Sequence, residues 1–187
     1  DHVGGHAYMK KISGARVATM DKEVALLESG GALDFQYAKI PAMAFEPVNT
    51  DQVVQDGETL KLGDIALTAH LTPGHTRGST TWTMTVRDSG KDYRVVFPDG
   101  TNVNPGYRLG RHPSYPGIAD DYRRTFEVLE ALDPDVWLAA HTEFFDFARK
   151  RERVRTEGNA AWMDPEGYRR WVTRQRERFE VAVRSER

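Results

Sequence analysis

Between residues 53 and 97 the chain alternates β-branched runs with tight-turn pairs, and this limits its fold more than any other feature. Val53-Val54 precedes Asp56-Gly57, Thr59-Leu60-Lys61-Leu62 precedes Gly63-Asp64, and Ile65 to Leu71 follows. Thr80 to Val86 alternates along its length, Ser89-Gly90 supplies another turn, and Tyr93 to Phe97 returns. Asp-Gly and similar pairs accept the positive φ that two-residue connections need, so the block predicts neighbouring strands.

Helical patterns flank this block. Ala7 to Ile12 predicts a short helix after Gly4-Gly5, and Ala15-Arg16-Val17-Ala18 a short strand. Asp21 is placed to cap a helix through Leu27 that Gly30-Gly31 would stop. Asp34 to Asn49 holds aromatics and prolines without a period, which predicts a surface excursion. Asp99 to Arg111 is a loop rich in Gly, Asn and Pro. In Ile118 to Leu132, residues Tyr122, Phe126, Leu129 and Leu132 recur at helical spacing. Asp133-Pro134 ends that helix, and Val136 to Ala140 predicts a buried strand delivering His141. The rest is charged and helical, anchored by Trp171, Phe179 and Val183, with Arg149 to Arg155 forming a solvated face. Strands, helix, strand and terminal helices in this order predict one α/β layered domain over residues 1–187.

The formal net charge of −2 gives no reason to expect a nucleic-acid or anionic-membrane partner. No run approaches the roughly 20 apolar residues of a spanning helix, and none of these segments is expected to be a signal peptide. The absence of Cys removes disulfides, thiolate zinc ligands and a cysteine nucleophile together.

Candidate chemistry therefore falls to histidine and carboxylate. His75 lies in Thr72-Pro73-Gly74-His75-Thr76-Arg77-Gly78-Ser79, between one strand end and the next strand start. A lone loop histidine is usually solvated, but the Pro-Gly reversal projects this one from a sheet end, where sites collect. His141 follows an apolar run and precedes Phe144-Phe145; a packed core histidine is the competing reading. Asp1-His2 carries little information alone. Combined with the other two, the pair completes a carboxylate–imidazole set suited to catalytic zinc. His6 is expected to face outward or line the cleft, His70 to pack or hydrogen-bond beside the site, and His112 to be solvated. Trp82, Trp137, Trp162 and Trp171 read as packing residues.

Asp1-His2-Val3-Gly4-Gly5, Leu71 to Thr80, Asn104-Pro105-Gly106-Tyr107-Arg108-Leu109, Ile118 to Arg124 and Ala140-His141-Thr142-Glu143-Phe144-Phe145-Asp146 together resemble the third subclass of metallo-β-lactamases. The resemblance runs over nearly the whole chain. It implies an αββα sandwich, here mainly its central and C-terminal part, and a site for two zinc ions. The family motif His-x-His-x-Asp-His ends in a pair matched by Asp1 and His2, so the chain is expected to start inside this motif. His75 matches the middle ligand and His141 the last. One zinc set is thus represented by Asp1, His2 and His141, whereas the other retains only His75.

The resemblance also implies a hydrolase that opens the β-lactam ring of antibiotics with a metal-activated hydroxide, periplasmic or secreted in the intact member. Gly100 stands about where the family commonly has a serine, leaving Thr101 and Asn102 to donate hydrogen bonds to substrate. Asp99 is a candidate bridging ligand, which would favour the alternative of an ester, thioester or lactone substrate. A third expectation is a non-catalytic fragment whose open sheet is covered by a partner segment or by self-association.

Overall fold

The computed structural model describes residues 2–186, so the expectation for Asp1 falls outside the described residues. Among the described residues, five α-helices and seven strands follow in chain order: α1 His6–Ser13, β1 Ala18–Met20, α2 Val24–Glu28, β2 Gln52–Val54, β3 Thr59–Leu62, β4 Ile65–Leu71, β5 Thr80–Asp88, β6 Lys91–Phe97, α3 Ile118–Ala131, β7 Val136–Trp137, α4 Phe147–Glu157 and α5 Pro165–Ser185. Strands β3-β4-β5-β6-β7 form a mixed sheet in which only the β6–β7 pair is parallel, and β1-β2 form a separate parallel pair. The mixed sheet with flanking helices is an α/β architecture.

The larger core lies between the five-stranded sheet and helices α3 and α5. Tyr122, Phe126 and Leu129 of α3 meet Trp171, Phe179 and Val183 of α5, and Trp137 and Val96 supply the sheet side. Phe179 stacks beside Tyr122 with ring centroids 5.3 Å apart. Burial of this kind is the main favourable term in folding. A smaller core of Met20, Val54, Ala69 and Leu71 joins the two sheets. Helix α1 buries none of its residues, and Tyr8, Met9 and Ile12 are exposed.

Several sequence-based expectations need correction. The first strand lies at Ala18–Met20 rather than 15–18, because Met20 is the residue that enters the smaller core. Asp21 caps no α-helix: it begins a 3-10 turn, Asp21–Glu23, and its Oδ1 accepts from the Lys22 N–H. Asp56-Gly57 does not join two strands of one hairpin. β2 pairs with β1, and Asp56-Gly57 carries the chain across to the larger sheet, where Gly57 N–H donates to Ala69 O and Asp56 Oδ1 accepts from Leu71 N–H. Strand β7 ends at Trp137, and Ala140 is exposed, so the run to His141 is not a continuous buried strand. The face 149–155 is also not uniformly solvated. Lys150 is 3% exposed, with Nζ 2.9 Å from Asp164 Oδ2 and 5.2 Å from the Trp137 ring centroid.

Candidate metal centre

His2, His75 and His141 come from three distant parts of the chain. His2 precedes α1 and is exposed, His75 occupies the β4–β5 loop, and His141 lies in the loop between β7 and α4. His2 and His141 meet: their Nε2 atoms are 3.1 Å apart and their rings are edge to face. Two nitrogens on one tetrahedral zinc, each about 2.0–2.1 Å from it, stand roughly 3.3 Å apart. The pair therefore fits one edge of such a site. Desolvation and the neighbouring His141 hold His2 below the usual imidazole range, and Asp99 opposes that shift while His75 adds to it. His75 and Asp99 therefore lie within electrostatic reach of His2.

The His75 ring is fixed from behind. Its Nδ1 lies 2.9 Å from Asn102 O. A carbonyl can only accept, so Nδ1 carries a proton, and in the neutral ring Nε2 is the nitrogen with the lone pair. This is the orientation that metal-ligating imidazoles take when their other nitrogen is held by a backbone carbonyl. The residues present thus fit a zinc group in donor type, tautomer and the spacing of one pair. Among the described residues, no cluster of three or more His, Cys, Asp or Glu side chains converges closely enough to hold a metal by itself.

Helix α3 organises the loops behind the site. Tyr122 OH donates to Asn102 O over 2.6 Å, and Thr125 Oγ1 donates to Pro73 O over 2.5 Å. Residues three apart share a helix face, so one turn of α3 pins both the His75 loop and the 99–104 loop. Tyr107 OH donates to His75 O over 2.7 Å. Burial pushes the Tyr107 and Tyr122 hydroxyls above their ordinary pKa, so both remain donors.

The His141 loop is closed by the Phe144 N–H donating to His141 O. Its imidazole lies 5.1 Å from the Phe144 ring, with Glu143 Oε1 3.9 Å from Nδ1.

Thr101 is 5% exposed, whereas Asn102 is half-buried. Gly100 sits at φ +87°, and a Cβ there would come 2.0 Å from Thr72 O. The serine looked for at this position cannot be accommodated in this backbone. Asp99 is exposed, and its N–H is bound to Thr81 Oγ1. His70 Nε2 bonds Thr83 Oγ1 across β4–β5 at 2.8 Å, His6 is exposed with Nδ1 bonded to Val3 O, and His112 is exposed.

Sequence reasoning missed Glu23. It is half-buried, and its Oε2 accepts from Thr76 Oγ1 at 2.9 Å and from Gly78 N–H at 2.7 Å. Burial pushes its carboxyl up to about 7, against the two hydrogen bonds that favour the charged form. Nothing in the charged run Asp21-Lys22-Glu23 marks it. The available signal was Gly78, a glycine without positive φ that leaves room for a close neighbour.

No family model matches the chain. It is similar to the native FEZ-1 metallo-β-lactamase of Legionella gormanii, with 38% identity, a TM-score of 0.96, and coverage of 100% of this chain and 71% of that one. It is also similar to the class B3 di-zinc metallo-β-lactamase LRA-12 from an Alaskan soil metagenome. There the identity is 30% and the TM-score 0.88, covering 98% of this chain and 69% of that one. A curated relative in Burkholderia pseudomallei strain 1710b, named "Probable metallo-hydrolase", is 28% identical over 136 residues, 72% of this chain and 45% of the relative. The chain thus spans about half the length of that relative. With this identity to FEZ-1 over the whole of its length, the chain belongs to the class B3 metallo-β-lactamase family.

Proposed function

We propose that this chain carries the zinc-dependent active site of a hydrolase that opens β-lactam rings, with Asp1, His2, His75 and His141 as ligands. The observation that carries the reading is the 3.1 Å approach of His2 Nε2 to His141 Nε2. The His75 tautomer supports it. The metallo-hydrolase and di-zinc descriptions of the relatives support zinc as the cofactor. Bound there, zinc would lower the pKa of water toward about 7 and polarise a carbonyl oxygen.

The protein's own contribution is orientation. Asn102 O holds His75 in the tautomer whose Nε2 can ligate, and Tyr107 and Tyr122 hold the backbone on either side of that bond. Asn102 can donate through its side-chain amide to a substrate carboxylate or carbonyl, and the hydroxyl of Thr101, 5% exposed, is the second candidate donor. These 187 residues supply no cysteine nucleophile, in accord with direct attack by water.

A second reading takes Asp99, whose charge is felt at His2, as a further metal ligand, which would favour an ester, thioester or lactone substrate. The exposed Tyr8, Met9 and Ile12 of α1 support a further role for a covering partner segment or a second copy. Periplasmic or secreted location is part of the proposal. No helix among the described residues is long and apolar enough to cross a membrane.

The test is absorbance-monitored opening of a chromogenic cephalosporin by the zinc-supplemented chain. Turnover should stop with a chelator and return with zinc. Zinc-dependent turnover of a lactone or thioester with an untouched β-lactam would replace the first reading by the second.

A further inference from the structure

The polar atoms of the 72–79 loop are satisfied mainly within the loop. Thr72 N–H donates to Ser79 O, Gly74 N–H to Thr76 O, and Thr76 N–H to Ser79 Oγ. Two donors instead leave the loop for one atom on another element: Thr76 Oγ1–H and Gly78 N–H both reach Glu23 Oε2. The approach is close at backbone level too. A Cβ on Gly78 would meet Glu23 Oε2 at 2.6 Å, Glu23 N at 2.7 Å and Glu23 Cβ at 2.8 Å. The 3-10 turn Asp21–Glu23 is therefore seated directly on the segment that follows His75.

We propose that Glu23 is a positioning residue for His75, clamping Thr76 to Gly78 so that the imidazole faces the His2–His141 pair. The proposal rests on the reading of His75 as a zinc ligand and assigns the control of its direction to a residue outside the ligand set. His75 is then held at three points: its ring by Asn102 O, its carbonyl by Tyr107 OH, and the adjoining turn by Glu23.

The electrostatics argue that the carboxylate is kept for this purpose. Desolvation opposes its charge, and Asp99 and Asp34 oppose it further, while Thr76 and Gly78 donate to it. A side chain needed only to fill space would avoid that cost.

The test uses the full chain with 15N-labelled histidine, metal-free and zinc-loaded. In the parent, the His75 Nδ1–H resonance should be protected from exchange by its bond to Asn102 O. In Glu23→Ala it should broaden or vanish, and zinc affinity, read by chelator competition, should fall roughly 10- to 100-fold, as for other groups that orient metal ligands. Glu23→Gln, whose carbonyl can accept both donors, should restore both signals. If Glu23→Ala does not fold, Thr76→Val removes one donor without a large change of shape and should shift both readouts in the same direction. An unchanged His75 ring proton and unchanged zinc affinity in the folded variant would overturn the proposal, as would a Gln variant as impaired as Ala. If the parent itself retains no zinc, the zinc reading fails, and the metal-free ring proton alone decides the positioning claim.

Discussion

Tyr122 and His75 share one acceptor: the Tyr122 hydroxyl and the His75 Nδ1–H both donate to Asn102 O, over 2.6 Å and 2.9 Å. Helix α3, which also packs Phe126 and Leu129 into the core, thus helps set the carbonyl that sets the imidazole. Tyr122→Phe keeps the ring stacked on Phe179 and deletes only the hydroxyl. It should cost about 1 kcal/mol of stability. Denaturant titration measures that cost, and His75 ring-proton exchange should rise in parallel.

Gly100 gives a steric prediction. Its positive φ and the 2.0 Å approach of a Cβ to Thr72 O mean that Gly100→Ala must displace one of the two loops behind the site. The expected loss is about 1–3 kcal/mol, the usual range for overpacking. Gly100→Ser should be no better tolerated. A serine variant as stable as the parent in thermal melts would show that this loop relaxes freely.

The pH dependence of stability should carry a mark of Glu23. Its folded-state carboxyl is raised from 4.5 to about 7, so the folded chain holds this proton more tightly than the unfolded chain. The resulting stability is fully present below pH 4.5 and is lost as pH rises through about 7. Glu23→Gln removes the titration and keeps a hydrogen-bond acceptor. In metal-free protein it should therefore gain about 1–3 kcal/mol over the parent at pH 8, a range reduced for partial solvent screening, and nothing comparable at pH 4. Urea titrations at the two pH values measure the difference.

The parts of this structure that were legible in the sequence are those governed by local rules. The 3.6-residue spacing of Tyr122, Phe126 and Leu129 marks α3, and all three are buried. The Gly63-Asp64 and Ser89-Gly90 pairs mark true hairpins between β3 and β4 and between β5 and β6. Asp56-Gly57 has the same chemistry but joins two sheets, because the buried positions of β2 face Met20 and Ala69 rather than a hairpin partner. Periodicity cannot choose between those partners.

At the candidate site, turn residues or an apolar run frame His75 and His141 and made them candidates. Glu23, Tyr107 and Thr125 were not, since their roles arise only when segments 32 to 53 residues apart meet at hydrogen-bond distance. The burial of Lys150 was hidden for a similar reason. Among arginines it reads as solvated, and only the fold brings Trp137, Phe145 and Asp164 around it.

The exposed apolar side chains of α1 give a prediction about assembly. Tyr8, Met9 and Ile12 are 61%, 54% and 58% exposed on one short helix. Contiguous apolar surface of this kind promotes association. Light scattering should therefore show concentration-dependent growth in mass for the isolated chain. Replacing Tyr8 and Ile12 by polar residues should reduce it without altering the His2–His141 contact.

The most direct test of the account is zinc retention by the parent and by His141→Ala after equilibrium dialysis against trace zinc. The His2–His141 geometry predicts that the parent keeps zinc in a chelator-sensitive form, and that the variant, still folded by circular dichroism, loses it. A parent that retains no zinc, or a folded His141→Ala that retains as much as the parent, would contradict the assignment of these histidines as a metal centre.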